Sequence, residues 1–229
     1  MAFNYSPKIV TNGLVLYLDA ANTRSYVSGS TSWNDLVGIN NGTLVNGPTF
    51  NSSNNGSIVF DGSNNYCSIP AIDVGKNFTV GIWFRPNATG RKLLFANSYT
   101  YASGKGFLFN VGNNATDIFL SLGNDQQYRV STTGYISANT WTYANATFDG
   151  TTIKLYINGN ETTYSATAGS ISTIAYDANP AFLGRWLFGG VTTNDLFAGR
   201  ISNVSLYNRA LTSTEVLQNY NATKTRFGL

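Results

Sequence analysis

Carboxylates are the residues from which this chain could most readily build a reaction, and they are few and poorly spaced. Of 229 residues, 11 are Asp or Glu, and only Glu161 and Glu215 are glutamates. Hydrolysis of a glycosidic bond ordinarily takes two carboxyl groups flanking the bond that breaks. No Glu-x-Asp or Asp-x-Glu spacing occurs, so no strand would present a glutamate and an aspartate side by side on one face. Glu161 follows the hairpin-type dipeptide Asn158-Gly159, and Glu215 stands where a helix should begin. Histidine is absent, which removes the commonest general base and metal ligand and any Ser-His-Asp or Cys-His arrangement. The single cysteine, Cys67, lies in the strand-like run Tyr66-Cys67-Ser68-Ile69 and reads as a small core residue. The chain is expected to be no enzyme and to need no cofactor.

What remains is contact chemistry. Charged residues make up only 11% of the chain, and Asn, Thr, Ser and Gly carry the polarity. Amides and hydroxyls of this kind pair with sugar hydroxyls or with another protein face. Apolar rings beside them occur in Gly184–Gly190, running into Val191–Asp195, and again in Asn97–Tyr101. The expected carbohydrate-binding or partner-contact residues are therefore Trp186, Phe188 and Asn194, with Tyr99 and Tyr101 as a second group. The favoured alternative has these rings close the end of the fold or pack on a neighbouring subunit. The net charge of +3 is scattered, with Arg91-Lys92 the only adjacent basic pair, so no basic stripe suits nucleic acid. No apolar run approaches the ~20 residues that span a bilayer. Asn-x-Ser/Thr triplets, as at Asn77, Asn145 and Asn221, read as a by-product of composition.

The elements that must position these groups are strands. In Phe78-Thr79-Val80-Gly81-Ile82-Trp83-Phe84, residues 78, 80, 82 and 84 are apolar and share a face, and Pro86 ends the run. Asp149-Gly150 separates 141–148 from 152–157, and Asn158-Gly159 follows; both favour the positive φ of tight hairpins. Ile201, Val204 and Leu206 all face a core only if a bulge sits between Ser202 and Asn203. Thr212-Ser213-Thr214-Glu215 has the spacing of a capping box, predicting one short helix whose Val216, Leu217 and Tyr220 pack on a sheet edge. Residues 1–10 read as a short arm and 11–229 as one domain.

Taken together, these segments resemble the laminin-G-like branch of the concanavalin A-like lectin/glucanase superfamily. The resemblance is carried by Phe60-Asp61-Gly62 with Tyr66, the strand Phe78–Trp83, and Trp141-Thr142-Tyr143 leading through Phe148-Asp149-Gly150 to Leu155–Gly159. It continues through Leu183-Gly184-Arg185, Phe197–Ile201 and Leu206–Leu211. It implies an all-β fold, an antiparallel two-sheet jelly-roll sandwich with one short C-terminal helix. Trp83, Trp141, Phe78 and Leu155 are then core residues, and Gly62 and Gly199 serve tight backbone geometry. Many such domains hold a structural calcium ion at the rim; Asp117, Asp125, Asp177 and Asp195 are the loop candidates here, without a dense ligand string.

A narrower resemblance lies in Gly13–Ala20, Trp33–Leu36, Asn41–Leu44 and Gly47-Pro48-Thr49-Phe50, which are similar to domains encoded by tailed bacteriophages. It implies a virion accessory protein: a head decoration, cement or fibre component. Such a protein is made in the host cytoplasm without a signal peptide, is displayed as a homo-oligomer beside capsid or tail proteins, and contacts glycans. A free carbohydrate-binding module is the alternative, and a glycoside hydrolase a remote one.

Overall fold

The computed structural model of the chain describes residues 7–97 and 105–229, apart from 113, 115, 124, 177, 189, 190, 193 and 194. In chain order the strands are β1 (Leu14–Asp19), β2 (Ser32–Trp33), β3 (Gly42–Val45), β4 (Thr49–Asn51), β5 (Ser57–Asp61), β6 (Tyr66–Ile69), β7 (Phe78–Pro86), β8 (Lys92–Ala96), β9 (Phe107–Val111) and β10 (Ile118–Leu122). They continue as β11 (Gln127–Ser131), β12 (Thr142–Phe148), β13 (Ile153–Ile157), β14 (Asn160–Glu161), β15 (Tyr164–Gly169), β16 (Ala181–Leu183), β17 (Leu187–Phe188), β18 (Val191–Thr192) and β19 (Ala198–Tyr207). One helix, α1 (Ser213–Thr223), and a 3-10 turn over Lys224–Phe227 follow.

The strands form two antiparallel layers. The back sheet runs β14-β13-β12-β7-β19-β5-β4, with β1 also paired to β19, and the front sheet runs β15-β11-β10-β9-β8-β16-β6-β3-β2. Phe78, Val80, Ile82 and Phe84 face the space between them, as their alternation predicted. There Phe107 stacks on Phe78 with ring centroids 4.3 Å apart, and Phe95 lies 5.6 Å from Phe107. Cys67 belongs to the same core, and burial pushes its thiol pKa up.

Local chemistry sets the corners. Asn158 and Gly159 both have positive φ between paired Ile157 and Asn160, the two-residue hairpin that such a dipeptide favours. β12 and β13 pair across Asp149–Thr152, whose aspartate accepts the backbone amides of Thr151 and Thr152. The register of β19 on β7 shifts between Ile201 and Asn203, so a bulge keeps Ile201, Val204 and Leu206 in one core. Gly199 needs its φ of +151° and its hydrogen, since a Cβ there would lie 2.4 Å from the Arg85 carbonyl oxygen.

The centre of the back sheet's outer face is also dry. Every residue of β12 is buried, because the C-terminal segment lies across it. Thr212 and Glu215 form the capping box at the start of α1. The helix meets the sheet's edge strand β14, as expected, and extends from it across the sheet's face. Val216 joins Tyr156, Tyr207 and Leu211, Tyr220 stacks near Trp83 and Tyr143, and Leu217, though 40% exposed, rests against Gly159 of the β13–β14 turn. Trp83 and Trp141 are buried as expected, in this helix–sheet layer with Phe227. Polar pairs orient the layer: the Trp83 indole donates to Thr223 at 2.8 Å, and Asn219 Nδ2 donates to the Tyr207 hydroxyl at 2.9 Å. Val10 is held there too, its amide on Asn219 Oδ1 and its carbonyl accepting from Tyr207. Residues 8–10 therefore dock on the domain.

Arg226 closes the layer, its guanidinium gripping both oxygens of Asp19 on β1 at 2.8 and 2.6 Å. The Asp19 side chain is only 3% exposed. Removing one partner of a buried pair strands the other's charge, at a cost of about 3–5 kcal/mol. Urea unfolding of Arg226→Ala should show a loss of that order, with a smaller one when Asp19→Asn is added. Glu215 gives a pH signature. Arg209 hydrogen bonds hold its carboxyl down to about 2, so its contribution is complete above the unfolded value near 4.5 and is lost as pH falls through about 2. Glu215→Gln should flatten the stability-versus-pH curve over that window.

Candidate functional site

The described carboxylates serve the fold. Asp35 accepts the backbone amides of Tyr17, Val37, Gly38 and Asn40, and Asp61 those of Ser63, Asn64 and Asn65. Asp73 caps Gly75, and Asp149 caps its hairpin. Glu161 is shared by Lys154 at 3.1 Å and the Tyr164 hydroxyl at 2.7 Å. Glu215 makes a bidentate pair with Arg209 at 2.9 and 2.6 Å.

Three of the aspartates singled out for calcium have separate partners. Asp117 is buried and accepts the Asn114 amide and side chain; Asp125 bonds Ser121; Asp195 pairs with Arg91 at 3.1 Å. Asp177 lies outside the described residues. Among the described residues, no cluster of three or more His, Cys, Asp or Glu side chains could hold a metal ion.

Trp186 is not an exposed platform. The register draws one outward-facing row across the front sheet, in which Phe182 pairs with Ala96 and Ala96 with Leu108. Trp186 is 7% exposed and covers these residues and Leu93. Its neighbour Arg185 lies over the Tyr66 ring, 4.0 Å from the centroid, and Asp195 ties the far end of the segment through its carbonyl to the Leu93 amide. The ring packs on the outer face of this chain's own front sheet. Phe188 lies in β17, its side chain outside the described residues, as are Tyr99, Tyr101 and Asn194 entirely.

The cleft that the structure does present lies elsewhere, where the chain crosses from front sheet to back. It has a volume of about 350 Å³ and is walled by loop 26–31 on one side and 47–50 on the other, over Leu44. The first wall is fastened by Ser25, whose Oγ accepts the Asp19 amide and donates to the Asn34 carbonyl. A turn then brings the Ser30 amide to the Val27 carbonyl, and the Tyr26 hydroxyl donates to the Ser30 carbonyl at 3.1 Å. In the second wall, Asn46 and Gly47 take positive φ, and Asn65 donates to the Asn46 carbonyl at 2.6 Å. Half-buried Phe50 leans on Tyr26 with ring centroids 5.5 Å apart. Around this aromatic pair stand the exposed hydroxyls of Ser28, Thr31 and Thr49.

No lining residue is charged, so the cleft offers rings, hydroxyls and backbone groups and no acid or base. It can hold a neutral, hydroxyl-rich molecule with one apolar face; it has no group for bond cleavage. Sequence reading passed over it because Tyr26 and Phe50 are far apart in the chain and sit in ordinary turn composition. The one available signal was an aromatic residue at each end of Ser/Gly and Gly-Pro turns. Trp186→Ala should cost folding stability, about 3–5 kcal/mol as for buried tryptophans generally, as read from the denaturation midpoint. Phe50→Ala should cost far less.

Comparison with known proteins agrees with this architecture. A family model described as the concanavalin A-like lectin/glucanases superfamily, of laminin-G type, matches residues 61–217. No curated protein sequence matches the chain. Among solved structures, domain 4 of a GH43 extracellular arabinanase from Geobacillus stearothermophilus, in complex with arabinotriose, superposes with a TM-score of 0.69 at 17% identity, over 90% of this chain and 98% of that one. The binding domain of Paraclostridial Mosquitocidal Protein 1 gives 0.68 at 16% identity, over 92% of this chain and 52% of that one. The botulinum neurotoxin type G receptor binding domain gives 0.63 at 17%, over 92% and 51%. This chain thus spans about half of each toxin chain, and at these identities the likeness is one of fold. With the family match running across more than half of its length, the chain belongs to the concanavalin A-like lectin/glucanases superfamily.

Proposed function

We propose that this protein is a non-catalytic, lectin-like module that binds neutral glycans in the cleft between loop 26–31 and residues 47–50. The observation that carries the reading is the lining itself: half-buried Phe50, backed by the buried ring of Tyr26, with hydroxyls around it and no charge. A sugar ring presents an apolar face and a polar rim, and this cleft offers the complement of each. Domains of the same fold support the reading, since one is seen in complex with arabinotriose and others are named as binding or receptor-binding domains of toxins. The carboxylates support it from the other side, because those placed are spent on turns and ion pairs.

Affinity sets the context of use. Burying ~100 Å² of ring face at ~25 cal/mol/Å² gives about 2.5 kcal/mol, whereas millimolar binding takes about 4 kcal/mol. Hydroxyl contacts at about 1 kcal/mol each bring one cleft to the millimolar range. Such a site works when displayed in many copies. The setting we propose is the particle of a tailed bacteriophage, as a head decoration, cement or fibre component beside capsid or tail proteins. That setting is supported by the phage-like segments Gly13–Ala20, Trp33–Leu36, Asn41–Leu44 and Gly47–Phe50, and Leu44 together with 47–50 lines the cleft.

A glycan array probed with the protein multivalently displayed on beads should return neutral oligosaccharides. Phe50→Ala should weaken the signal at least tenfold, while Glu161→Gln, away from the cleft, leaves it unchanged. Binding that survives Phe50→Ala would remove the cleft from the account. Mass spectrometry of purified particles addresses the setting, and a particle proteome without this chain would end the virion reading.

A further inference from the structure

Like charges set directly opposite each other on paired strands are destabilising, so a fold that keeps such a pair calls for a reason. Among the described strand pairs this happens once: in the register of β19 on β7, Arg200 stands opposite Arg85. The neighbouring pair, Ile201 and Phe84, faces the core, so the two arginines project from the outer face of the back sheet. Across an antiparallel pair the Cα atoms are about 4.5–5.5 Å apart. Both arginines are half-buried.

No described carboxylate forms an ion pair with either of them. Asp61, diagonal to Arg200 on the same face, gives its Oδ1 to the amides of Ser63, Asn64 and Asn65. Each guanidinium is tethered once, and from opposite flanks. Arg85 Nε donates to the Asn139 carbonyl at 2.9 Å, and Arg200 Nη1 donates to Asn51 Oδ1 on β4 at 3.1 Å. Both anchors are themselves held. The Asn139 amide donates to the Pro86 carbonyl at 2.7 Å, and Asn51 Oδ1 also accepts the Ser53 amide. A guanidinium carries five N–H donors, so each fork keeps most of its donors unspent on the described residues.

We propose that Arg85 and Arg200 together bind a phosphate or sulfate group. A carboxylate has two oxygens and satisfies one fork, whereas a tetrahedral oxyanion has enough to meet two forks at once. The anion sits between the opposed charges and turns a repulsive pair into a bridged one. The site takes a single group, because Val59 and Thr49 follow Arg200 along this row and neither is basic. Thr49 also lines the cleft, two strand spacings or about 10 Å from Arg200. The anion site is therefore distinct from the uncharged cleft and requires no glycan in it.

Phosphorus NMR of inorganic phosphate and of methyl phosphate, titrated with the full chain at constant ionic strength, tests the site. Saturable line broadening with a dissociation constant of about 1 mM is expected. Arg85→Gln and Arg200→Gln should each weaken binding at least tenfold, while Lys92→Gln on the front sheet and Phe50→Ala in the cleft leave it unchanged. Arg200→Lys keeps the charge and loses the fork, so it should weaken binding as well. Competition on the wild-type chain is independent of how those variants fold: sulfate should displace phosphate, and acetate at equal ionic strength should not. Methyl phosphate held as tightly as the free ion identifies an esterified ligand, and a tenfold preference for the free ion identifies a free anion; either result supports the site. Broadening that never saturates, that acetate removes as well as sulfate does, or that survives Arg200→Gln or Arg200→Lys undiminished overturns the proposal.

Discussion

A sheet buried on both faces is the constraint from which the rest of this structure follows. β7 and β12 lie in the middle of the back sheet, and β12 is withdrawn from water along its whole length. One face is covered by the front sheet. The other would expose Trp83, Trp141, Tyr143 and Tyr207, a far larger apolar patch than an isolated surface residue, without a third layer. The C-terminal helix and its 3-10 turn supply that layer. Their approach is fixed by directional contacts more than by apolar area: the capping box, the Trp83–Thr223 and Asn219–Tyr207 bonds, and the grip of Arg226 on Asp19.

That constraint divides what the sequence disclosed from what it withheld. Where a residue's role is settled within a few positions of itself, it was legible. The alternation of Phe78–Phe84, the Asn158-Gly159 hairpin, the broken alternation around Ser202 and the Thr212–Glu215 cap each name their own geometry. Roles settled by distant contacts were not. The helix was expected on a sheet edge alone, because an eleven-residue helix carries no sign that it will also reach across the sheet's face. Trp186 looked like a loop aromatic, and only the outward row of Phe182, Ala96 and Leu108 beneath it makes it a covering residue. The cleft was hidden for the same reason. Its walls meet because β3 belongs to one sheet and β4 to the other, and no local pattern reports that crossing.

The acidic residues show how such a fold separates shape from reactivity. Asp35, Asp61, Asp73 and Asp149 accept two or more backbone amides or cap single turns, which a loop-rich sandwich needs in order to satisfy its corners. A carboxylate spent in this way is oriented by the backbone and is held away from any shared reaction centre. What the surface then offers is topography: a cleft with one aromatic wall, and loops whose hydroxyls face outward. Fold membership alone would be compatible with hydrolase and lectin alike; the side chains in the cleft favour the second.

The meeting of Asp19 and Arg226 has a kinetic corollary. These residues are separated by 207 positions, and Val10 and Tyr207 by 197, so contacts that lock the back sheet join segments near opposite ends of the described chain. Loops of that length close slowly, and β sandwiches rich in non-local pairing are among the slower folders. During synthesis, β7, β12 and β13 would wait with one apolar face open until the helix emerged to cover it. The interval before that closure is the time at which this molecule is most exposed to aggregation, and the helix and turn over 213–227 act as the clasp that ends it.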